Sequence, residues 1–532
     1  MVHAITRLAL TAACVVLLIN TYAVAINLDS LLTASIGGKA AMDTIQRLTS
    51  LVYEGKTRTG GLEGSFRAVI VPPDRLYFEM KSPSFSMTQG FDGLTGWQRD
   101  QNGQVSELSG FEKKLLLKNL YIESFSYLLP ERRGMPLSYR GVEVQDGIQY
   151  HVVGFVPYEG DTIIACYNTG TSRREITGTQ VDNLYTVSEL SDFRTVSGIV
   201  IPFHVVDTVI GLPFSTELTI ERATINQPVD TSIFRKPSAR ASDFRFPKGK
   251  AAIQVPFSYA NGLIHVPATL NGRKRVRLLL DSGASGNVYH RDAVASLNLP
   301  IAGYLPARGV SGVDSIALVR MDSIQVGGLT LYNQVAGTLD LKALARSAEA
   351  KEIFGGLLGY DFLSRFPVMV DYHGSVLTVF NPETFKPPAG GIVIPFTLTQ
   401  QVPTITGSLV GVQGQFLVDL GNAFGLILHG AFEMEHGLDT LLSDFQPMSD
   451  NVSGIGGSIG GQSAYAKTFE FGGIRLEAIR AILPERSMGL TGSAELAGNI
   501  GNRILEHFNV LFDYQQSQIV LYPLESEKSP AD

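Results

Sequence analysis

The feature that most constrains this fold is a short block that occurs twice: three apolar residues, an aspartate and a glycine turn. The first copy, LLLDSGASGN, spans 278–287, and the second, FLVDLGNAFG, spans 416–425, about 140 residues later. An aspartate beside a buried strand is costly, because a charge there needs a partner. The repeat therefore predicts that each aspartate is the partner of the other.

Three more blocks recur in the same order at similar offsets, which indicates two copies of one β-rich lobe. We predict the first lobe at 253–385 and the second at 386–532, joined near NPETFKPPAGG. The aspartate block is VRLLLDSGA (276–284) with GQFLVDLGN (414–422). The three further pairs are GVSG (309–312) with GIGG (454–457), VGGLTL (326–331) with FGGIRL (471–476), and 356–380 with 498–522.

Composition narrows the function class. The 532 residues are 44% hydrophobic and 17% charged, which is typical of a globular protein. A net charge of -7, with no basic run, argues against nucleic-acid binding. Beyond the N-terminal segment Cys166 is the only cysteine, so neither an intrachain disulfide nor a cysteine metal cluster is expected.

Residues 1–25 have the pattern of an export signal. Arg7 precedes an apolar core, Leu8 to Ile19, and Ala23-Val24-Ala25 has the small-x-small pattern of a cleavage site. We therefore expect an exported protein of the periplasm or cell surface; retention of the segment as a membrane anchor is the alternative.

Residues 26–235 predict a helix around GKAAMDTIQRL, followed by a long antiparallel meander. Segments such as RLYFEM and STELTIERATI have the two-residue period of strands, and PPD, DGLTG and QNG mark turns. Residues 236–252, rich in proline, serine and positive charge, predict a linker.

If the two lobes pack about a pseudo-twofold axis, Asp281 and Asp419 meet at the interface between them. Two carboxylates about 3 Å apart cannot both ionise, so they share a proton. The ionised member can take a proton from water while the protonated member donates to a carbonyl oxygen. The pair could then hydrolyse an amide without a covalent enzyme adduct.

Residues 255–525 resemble the pepsin and retropepsin-like aspartic proteases in a two-lobe bacterial form. Asp281-Ser282-Gly283-Ala284 matches the family signature, and Leu357-Leu358-Gly359 and Asn499-Ile500-Gly501 lie where each family lobe returns under its aspartate loop. The resemblance implies a mainly β, bilobal β-barrel module, an endopeptidase acting on polypeptides through Asp281 and Asp419, and no metal or organic cofactor. Oligomerisation is not required, because one chain carries both lobes. The resemblance also places β-hairpin flaps over the substrate, at Gly309, Gly312, Gly454 and Gly457.

The second lobe departs from the family pattern. Leu420 replaces the serine or threonine that braces the two aspartate loops, so only Ser282 can supply a bracing hydroxyl. Gly421 and Asn422 complete the loop, and the Asn422 amide offers a hydrogen bond to a carboxylate. Asn499 replaces an apolar residue. These changes keep open a non-catalytic peptide- or lipid-binding protein as the alternative function.

Residues 30–235 resemble the periplasmic lipoprotein-carrier domains, on the segment MTQGFDGLTGWQRDQNG that contains the only tryptophan, Trp97. The resemblance implies an incomplete β-barrel wrapped around helices, with a concave surface for an apolar or lipid ligand. The alternative is a structural or pro-domain that packs on the protease module.

Other motifs favour plain structural roles. Asp371 and Asp513 each precede a tyrosine, and we expect them to begin hairpin turns. Gly456 to Gly460 matches the G-x-S-x-G nucleophile pattern, but that pattern needs a strand before it and a helix after it, and a strand follows here. The nine histidines have no zinc-ligand spacing.

Overall fold

The computed structural model describes residues 26–157, 162–238, 242–309, 312–345, 353–448, 451–485 and 489–524. The chain divides into two compact units, one of Met1–Gln98 with Lys113–Lys236 and one of Arg99–Glu112 with Pro237–Asp532. The second unit thus includes residues 99–112, which precede the rest of it in the chain by more than 100 positions, and residues 237–252 of the predicted linker. The signal-peptide prediction lies outside the described ranges, and no helix within those ranges is long and apolar enough to cross a membrane.

The described part of the first unit begins with two helices, Leu28–Ser35 and Lys39–Gln46, where the sequence predicted one. Gly37 and Gly38 separate them with φ values of 107° and 88°, a left-handed backbone that ends a helix. Asn27 caps the first helix, because its side chain accepts the Ser30 N–H at 3.0 Å.

One large sheet follows, in the order β5-β4-β3-β2-β1-β13-β12-β11-β10-β9-β8-β7. The buried Trp97 ring donates its Nε1–H to the Phe234 carbonyl at 2.7 Å, inside the same unit. The strands are β1 (Leu51–Thr59), β2 (Leu62–Val71), β3 (Arg75–Lys81), β4 (Ser86–Phe91), β5 (Gly96–Arg99), β6 (Val105–Glu107), β7 (Ser138–Gln145), β8 (Ile148–Phe155), β9 (Ile163–Asn168), β10 (Arg174–Val181), β11 (Leu184–Val196), β12 (Ile199–Val209) and β13 (Ser215–Ile225). The further helical segments in this part of the chain are Gly110–Glu123 and the 3₁₀ turns Ser126–Leu128 and Thr231–Phe234.

The first lobe of the second unit contains a closed barrel. Strands β17, β18, β23, β19, β22 and β21 pair in a circle, because β21 bonds to both β17 and β22. The strands of this lobe are β14 (Phe244–Arg245), β15 (Ala252–Pro256), β16 (Ser258–Ala260), β17 (Leu263–Leu270), β18 (Lys274–Leu280), β19 (Val288–His290), β20 (Ile301–Gly309), β21 (Gly312–Val326), β22 (Leu329–Leu339), β23 (Phe354–Leu358), β24 (Val368–Asp371) and β25 (Val376–Phe380). Its helical segments are Arg291–Val294, Ala295–Leu297, Lys342–Ala345 and Tyr360–Leu363.

The second lobe repeats this barrel strand for strand. Strands β28, β29, β36, β30, β35 and β34 form the circle, closed by pairing of β28 with β34. The strands of this lobe are β26 (Ile392–Pro395), β27 (Thr397–Thr399), β28 (Val402–Leu409), β29 (Val412–Val418), β30 (Leu426–Leu428), β31 (Ser443–Pro447), β32 (Val452–Gly454), β33 (Gly457–Ile459), β34 (Gly461–Phe471), β35 (Ile474–Pro484), β36 (Gly498–Ile500), β37 (Phe508–Asp513) and β38 (Gln518–Pro523). Its helical segments are Gly430–His436, Leu438–Thr440, Gly489–Gly492 and Asn502–Leu505.

A third sheet joins the lobes, in the order β15-β25-β24-β37-β38-β26. Strand β24 of the first lobe pairs with β37 of the second, so the two lobes share backbone hydrogen bonds. One apolar core runs through both barrels and this sheet. The predicted mainly β, bilobal class is therefore confirmed.

Two segments outside the barrels also pack in the second unit. Within the predicted linker, Phe244 packs edge-on against Phe366 at 4.8 Å between ring centroids, and Asp243 forms a two-armed ion pair with buried Arg365. From residues 99–112, Asn102 donates to the Asp361 carboxylate at 2.8 Å. Both segments therefore support the turn at Tyr360–Leu363.

Candidate active site

The two aspartates leave their barrels at equivalent points. Asp281 follows β18 and Asp419 follows β29, and each of these strands pairs with a parallel neighbour, β23 or β36. The Asp281 N–H donates to the Leu358 carbonyl at 3.0 Å, and the Asp419 N–H donates to the Ile500 carbonyl at 2.9 Å. The return strands of the two lobes therefore fix the start of both loops.

Each aspartate then turns on a glycine. The Gly283 N–H donates to Asp281 Oδ1 and the Gly421 N–H to Asp419 Oδ1, both at 2.8 Å. Each glycine also faces the opposite carboxylate: a Cβ on Gly283 would lie 2.4 Å from Asp419 Oδ1, and one on Gly421 would lie 2.5 Å from Asp281 Oδ1. In the first loop the Ala284 carbonyl accepts the Tyr360 N–H at 3.0 Å. The loops therefore interlock about a pseudo-twofold axis.

The two carboxyl groups lie against each other's loops and are largely shielded from water, with exposed fractions of 9% for Asp281 and 8% for Asp419. Burial, and then the charge of Asp419, raises the pKa of Asp281 well above its usual range. Burial also raises the pKa of Asp419, but a hydrogen bond from the Asn499 side chain opposes that rise. The pair therefore holds a proton at pH values where isolated aspartates are ionised.

One hydroxyl group, that of Ser282, links the two aspartate loops by hydrogen bonds. The fully buried Ser282 Oγ donates to the Val418 carbonyl at 2.7 Å and accepts the Leu420 N–H at 2.9 Å. Leu420, at the equivalent position, has an exposed fraction of 0% and packs in the core. The hydroxyl that links the two aspartate loops is therefore that of Ser282.

The amide that reaches a carboxylate belongs to Asn499. Its Nδ2 donates to Asp419 Oδ2 at 2.9 Å, and its Oδ1 lies 2.8 Å from His429 Nε2. The Asn422 side chain does not take the place we expected, because its amide donates to the Asn499 carbonyl and accepts the Phe424 N–H. In the sequence, Asn499 stood out only because it replaces an apolar residue. Its hydrogen bond to Asp419 was not predicted and is seen only in the structure.

Tyr514 is another group that the sequence did not indicate. It is 8% exposed, and burial raises the pKa of its phenol well above its usual range, assisted by the nearby charges of Tyr360, Asp281 and Asp419. The sequence showed only a repeated Asp-Tyr pair, at 371–372 and 513–514. Tyr514 is therefore a buried, neutral phenol in the surroundings of the pair.

The predicted flap glycines lie in hairpins. Gly309 and Gly312 pair at the end of β20–β21, and Gly454 pairs with Gly457 between β32 and β33. The hairpins approach each other closely, because a Cβ on Gly309 would lie 2.0 Å from the Ile455 carbonyl oxygen. A cavity of about 400 Å³ beside them is lined by Asp314, by 339–344 and by 454–457.

Asp371, Asp513 and Ser458 lie in β-hairpins. Asp371 and Asp513 accept turn N–H groups from Gly374 and Gln516. Ser458 lies in β33 and its Oγ pairs with Ser453 Oγ at 2.7 Å, in a hairpin rather than a strand-to-helix turn. Within the ranges that the structure describes, no cluster of three or more His, Cys, Asp or Glu side chains could hold a metal ion.

Comparison with known proteins gives one family. Residues 266–362, which include Asp281 and its loop, match the aspartyl protease family model. No curated protein matches the sequence. Solved structures with some similarity include an aspartic proteinase from Irpex lacteus, with 16% identity and a TM-score of 0.35, covering 53% of this chain and 100% of that chain.

Two other solved structures have some similarity to this chain and cover smaller fractions of it. A DUF1329 family protein from Desulfovibrio piger has 13% identity and a TM-score of 0.29, with 40% of this chain and 97% of that chain covered. A Vibrio parahaemolyticus domain assigned to the outer membrane lipoprotein-sorting proteins has 10% identity and a TM-score of 0.27, with 37% and 94% covered. The match to the aspartyl protease family model lies within the first aspartate lobe, from β17 to the helical turn at Tyr360–Leu363.

Proposed function

We propose that this protein is an aspartic-type endopeptidase in which Asp281 and Asp419 act together on one water molecule. The observation that carries the proposal is the meeting of two buried carboxyl groups, each of which lies against the glycine of the other's loop. Such a pair shares one proton, so it offers a base and an acid at the same place. The family match at 266–362 supports the same chemistry.

The reaction needs no group beyond the pair. The ionised carboxylate takes a proton from water as the water oxygen bonds to the scissile carbonyl carbon, while the protonated carboxyl donates its proton to the carbonyl oxygen. The tetrahedral intermediate then collapses: the C–N bond breaks, the amine takes a proton from one carboxyl, and the other regains a proton from the intermediate's hydroxyl. Products are a carboxylic acid and an amine, and the shared proton is restored.

The substrate we propose is an extended polypeptide segment. It would lie beneath the β20–β21 and β32–β33 hairpins and pair with their strand edges, which recognises backbone rather than a particular side chain. The close approach of Gly309 to Ile455 means that these hairpins must separate to admit it. One chain carries both aspartates, so we propose a site that works without oligomerisation, metal or organic cofactor.

The test is cleavage of a peptide library across pH by the protein and by Asp281→Asn and Asp419→Asn, with Asp371→Asn as the matched control. Asp371 ends a β-strand and bonds only to its own turn among the contacts of its carboxylate that the structure describes. We expect both active-site variants to lose cleavage and the control to keep it. Cleavage in H₂¹⁸O should place one ¹⁸O in each new carboxyl terminus, and activity surviving either change would refute the shared-water mechanism.

A second candidate function is non-catalytic binding of peptides or lipids. The observation that favours it is the one-sided brace, in which buried Leu420 stands where a second hydroxyl would be expected. A binding protein would retain peptides without releasing products at any pH, and its retention would not depend on Asp281. For the first unit, we propose an apolar peptide or an acyl chain as ligand, on its resemblance to carrier domains.

A further inference from the structure

The surroundings of the two aspartates differ at one position. In the second lobe, Asn499 on β36 lies in register with Leu417 and Ile427 on the neighbouring strands. In the first lobe, the residue in register with the equivalent positions, Leu279 and Val288, is Leu357. The two barrels therefore have the same strand pairing and register here, yet an amide side chain lies in one lobe where the other has an aliphatic side chain.

Asn499 is buried and oriented by its contacts. Its exposed fraction is 5%, and that of His429 is 1%. Because Asn499 Nδ2 donates to Asp419 Oδ2 at 2.9 Å, its Oδ1 faces His429 Nε2 at 2.8 Å and accepts the proton there. The histidine at the equivalent position of the first lobe, His290, instead accepts the Leu341 N–H through Nδ1. Among the residues that the structure describes, the side-chain amide that donates to the aspartate pair thus belongs to the second lobe.

We propose that Asn499, held in place by His429, makes Asp419 the ionised member of the pair and leaves Asp281 as the member that carries the proton. This inference rests on the proposed function and deepens it by assigning the general base. A carboxylate that accepts a hydrogen bond is stabilised in its charged form, and the effect is strong where water is excluded. Asp281 accepts backbone N–H groups as Asp419 does, but it lacks the equivalent side-chain donor, because Leu357 is apolar.

The titratable groups that face the pair agree with this assignment. Burial and the charge of Asp419 raise the pKa of Asp281 well above its usual range, whereas the Asn499 hydrogen bond limits the rise at Asp419. Tyr514 interacts with both carboxylates and has a raised pKa, so it is neutral and favours neither. His429 acts through Asn499 as a positioning residue, because its Nε2 bonds to the amide oxygen and not to a carboxylate.

The test is the order in which the two carboxyl groups ionise. In protein labelled with ¹³C at the aspartate carboxyl carbons, the two resonances are assigned from Asp281→Asn and Asp419→Asn and then followed against pH by NMR. We expect Asp419 to ionise at the lower pH. Asn499→Leu introduces the residue type that the first lobe has at the equivalent position, Leu357. In this variant Asp419 should no longer ionise before Asp281, and kcat/KM at acidic pH should fall roughly tenfold.

Two more variants separate positioning from packing. His429→Gln keeps an N–H donor for Asn499 and should retain the order of ionisation, whereas His429→Leu should weaken it. A matched change at the equivalent site, His290→Gln, should leave it unaltered. The inference is overturned if Asp281 ionises first, or if Asn499→Leu folds with the order unchanged. The titration needs no substrate, so absence of peptide cleavage would refute the proposed function without obscuring this result.

Discussion

The α-carbon of Gly283 lies so close to the Asp419 carboxylate that a methyl group on it would be 2.4 Å from Oδ1. Gly283→Ala should therefore push Asp419 away from Asp281, and the shared proton would be lost along with the water site. We expect kcat/KM to fall by at least about a hundredfold, because displacement of catalytic groups by about 1 Å is costly.

The control for this prediction is Gly170→Ala, where the nearest atom to the new methyl group would be 3.4 Å away. That variant should keep full activity. Measured steady-state kinetics showing equal activity for Gly283→Ala and the parent would contradict the interlocked geometry of the two loops.

Removal of the bracing hydroxyl should weaken the interface between the aspartate loops. Ser282→Ala leaves the buried Val418 carbonyl and Leu420 N–H without the Ser282 Oγ partner, which costs about 1–3 kcal/mol. Ser282→Thr retains the hydroxyl and is the matched comparison. Urea unfolding followed by hydrogen exchange of the core amides of the second unit should show a lower midpoint for the alanine variant alone; equal midpoints for both variants would mean that the Ser282 hydroxyl contributes nothing to stability.

Stability of the second unit should increase as pH falls from neutral. The folded-state pKa of Asp281 lies well above its usual range, and burial, assisted by the charge of Asp361, raises that of Asp100 to about 7. Folding therefore favours protons on these groups. Their contribution is full below the ordinary aspartate pKa of about 3.9 and is lost as pH rises through the raised values.

The measurement is the free energy of unfolding at pH 5 and at pH 7.5. Exposed carboxylates such as Asp340, whose pKa is lowered, become protonated below this pH range, so they do not affect the comparison. Asp281→Asn removes the ionisable group, so at pH 7.5 this variant should be more stable than the parent, by on the order of 1 kcal/mol or more. The difference should shrink at pH 5. A parent protein that is more stable at pH 7.5 than at pH 5 would contradict this prediction.

The sequence predicted those parts of the site that depend on local patterns. An apolar strand, an aspartate and a glycine lie within a few residues of one another, and their repetition indicated that Asp281 and Asp419 meet. The hairpins at Gly309 and Gly454 were instead an implication of the resemblance to the aspartic proteases, and glycine turns are local signals that fit them.

The sequence did not predict contacts between distant segments. Asn499 bonds to Asp419 across 80 positions, and a single asparagine on an apolar strand carries no signal of its partner. Asn102 bonds to Asp361 across 259 positions, from a segment that the sequence assigned wholly to the first domain. These pairings depend on barrel register and on packing, which composition and periodicity do not encode.

The docking of residues 99–112 should control the order of the first aspartate loop. Asn102 donates to the Val335 carbonyl and to Asp361 Oδ1, each at 2.8 Å, and accepts the Val335 N–H at 2.7 Å. Asp361 Oδ2 in turn accepts the Asn287 N–H at 2.6 Å, and Asn287 accepts the Gly359 N–H at 2.9 Å. Loss of the Asn102 side chain therefore weakens a chain of bonds that ends beside Asp281.

We expect Asn102→Ala to accelerate hydrogen exchange at the Asn287 and Gly359 amides, because each broken bond to a buried partner costs about 1–3 kcal/mol, or roughly a five- to hundredfold change in protection. Gln101→Ala is the matched control, because it truncates the neighbouring side chain and leaves the Asn102 contacts in place. Peptide cleavage should decrease in step with the lost protection. Equal exchange at these amides in both variants would show that the aspartate loop is ordered by the barrel alone, without the contacts of Asn102.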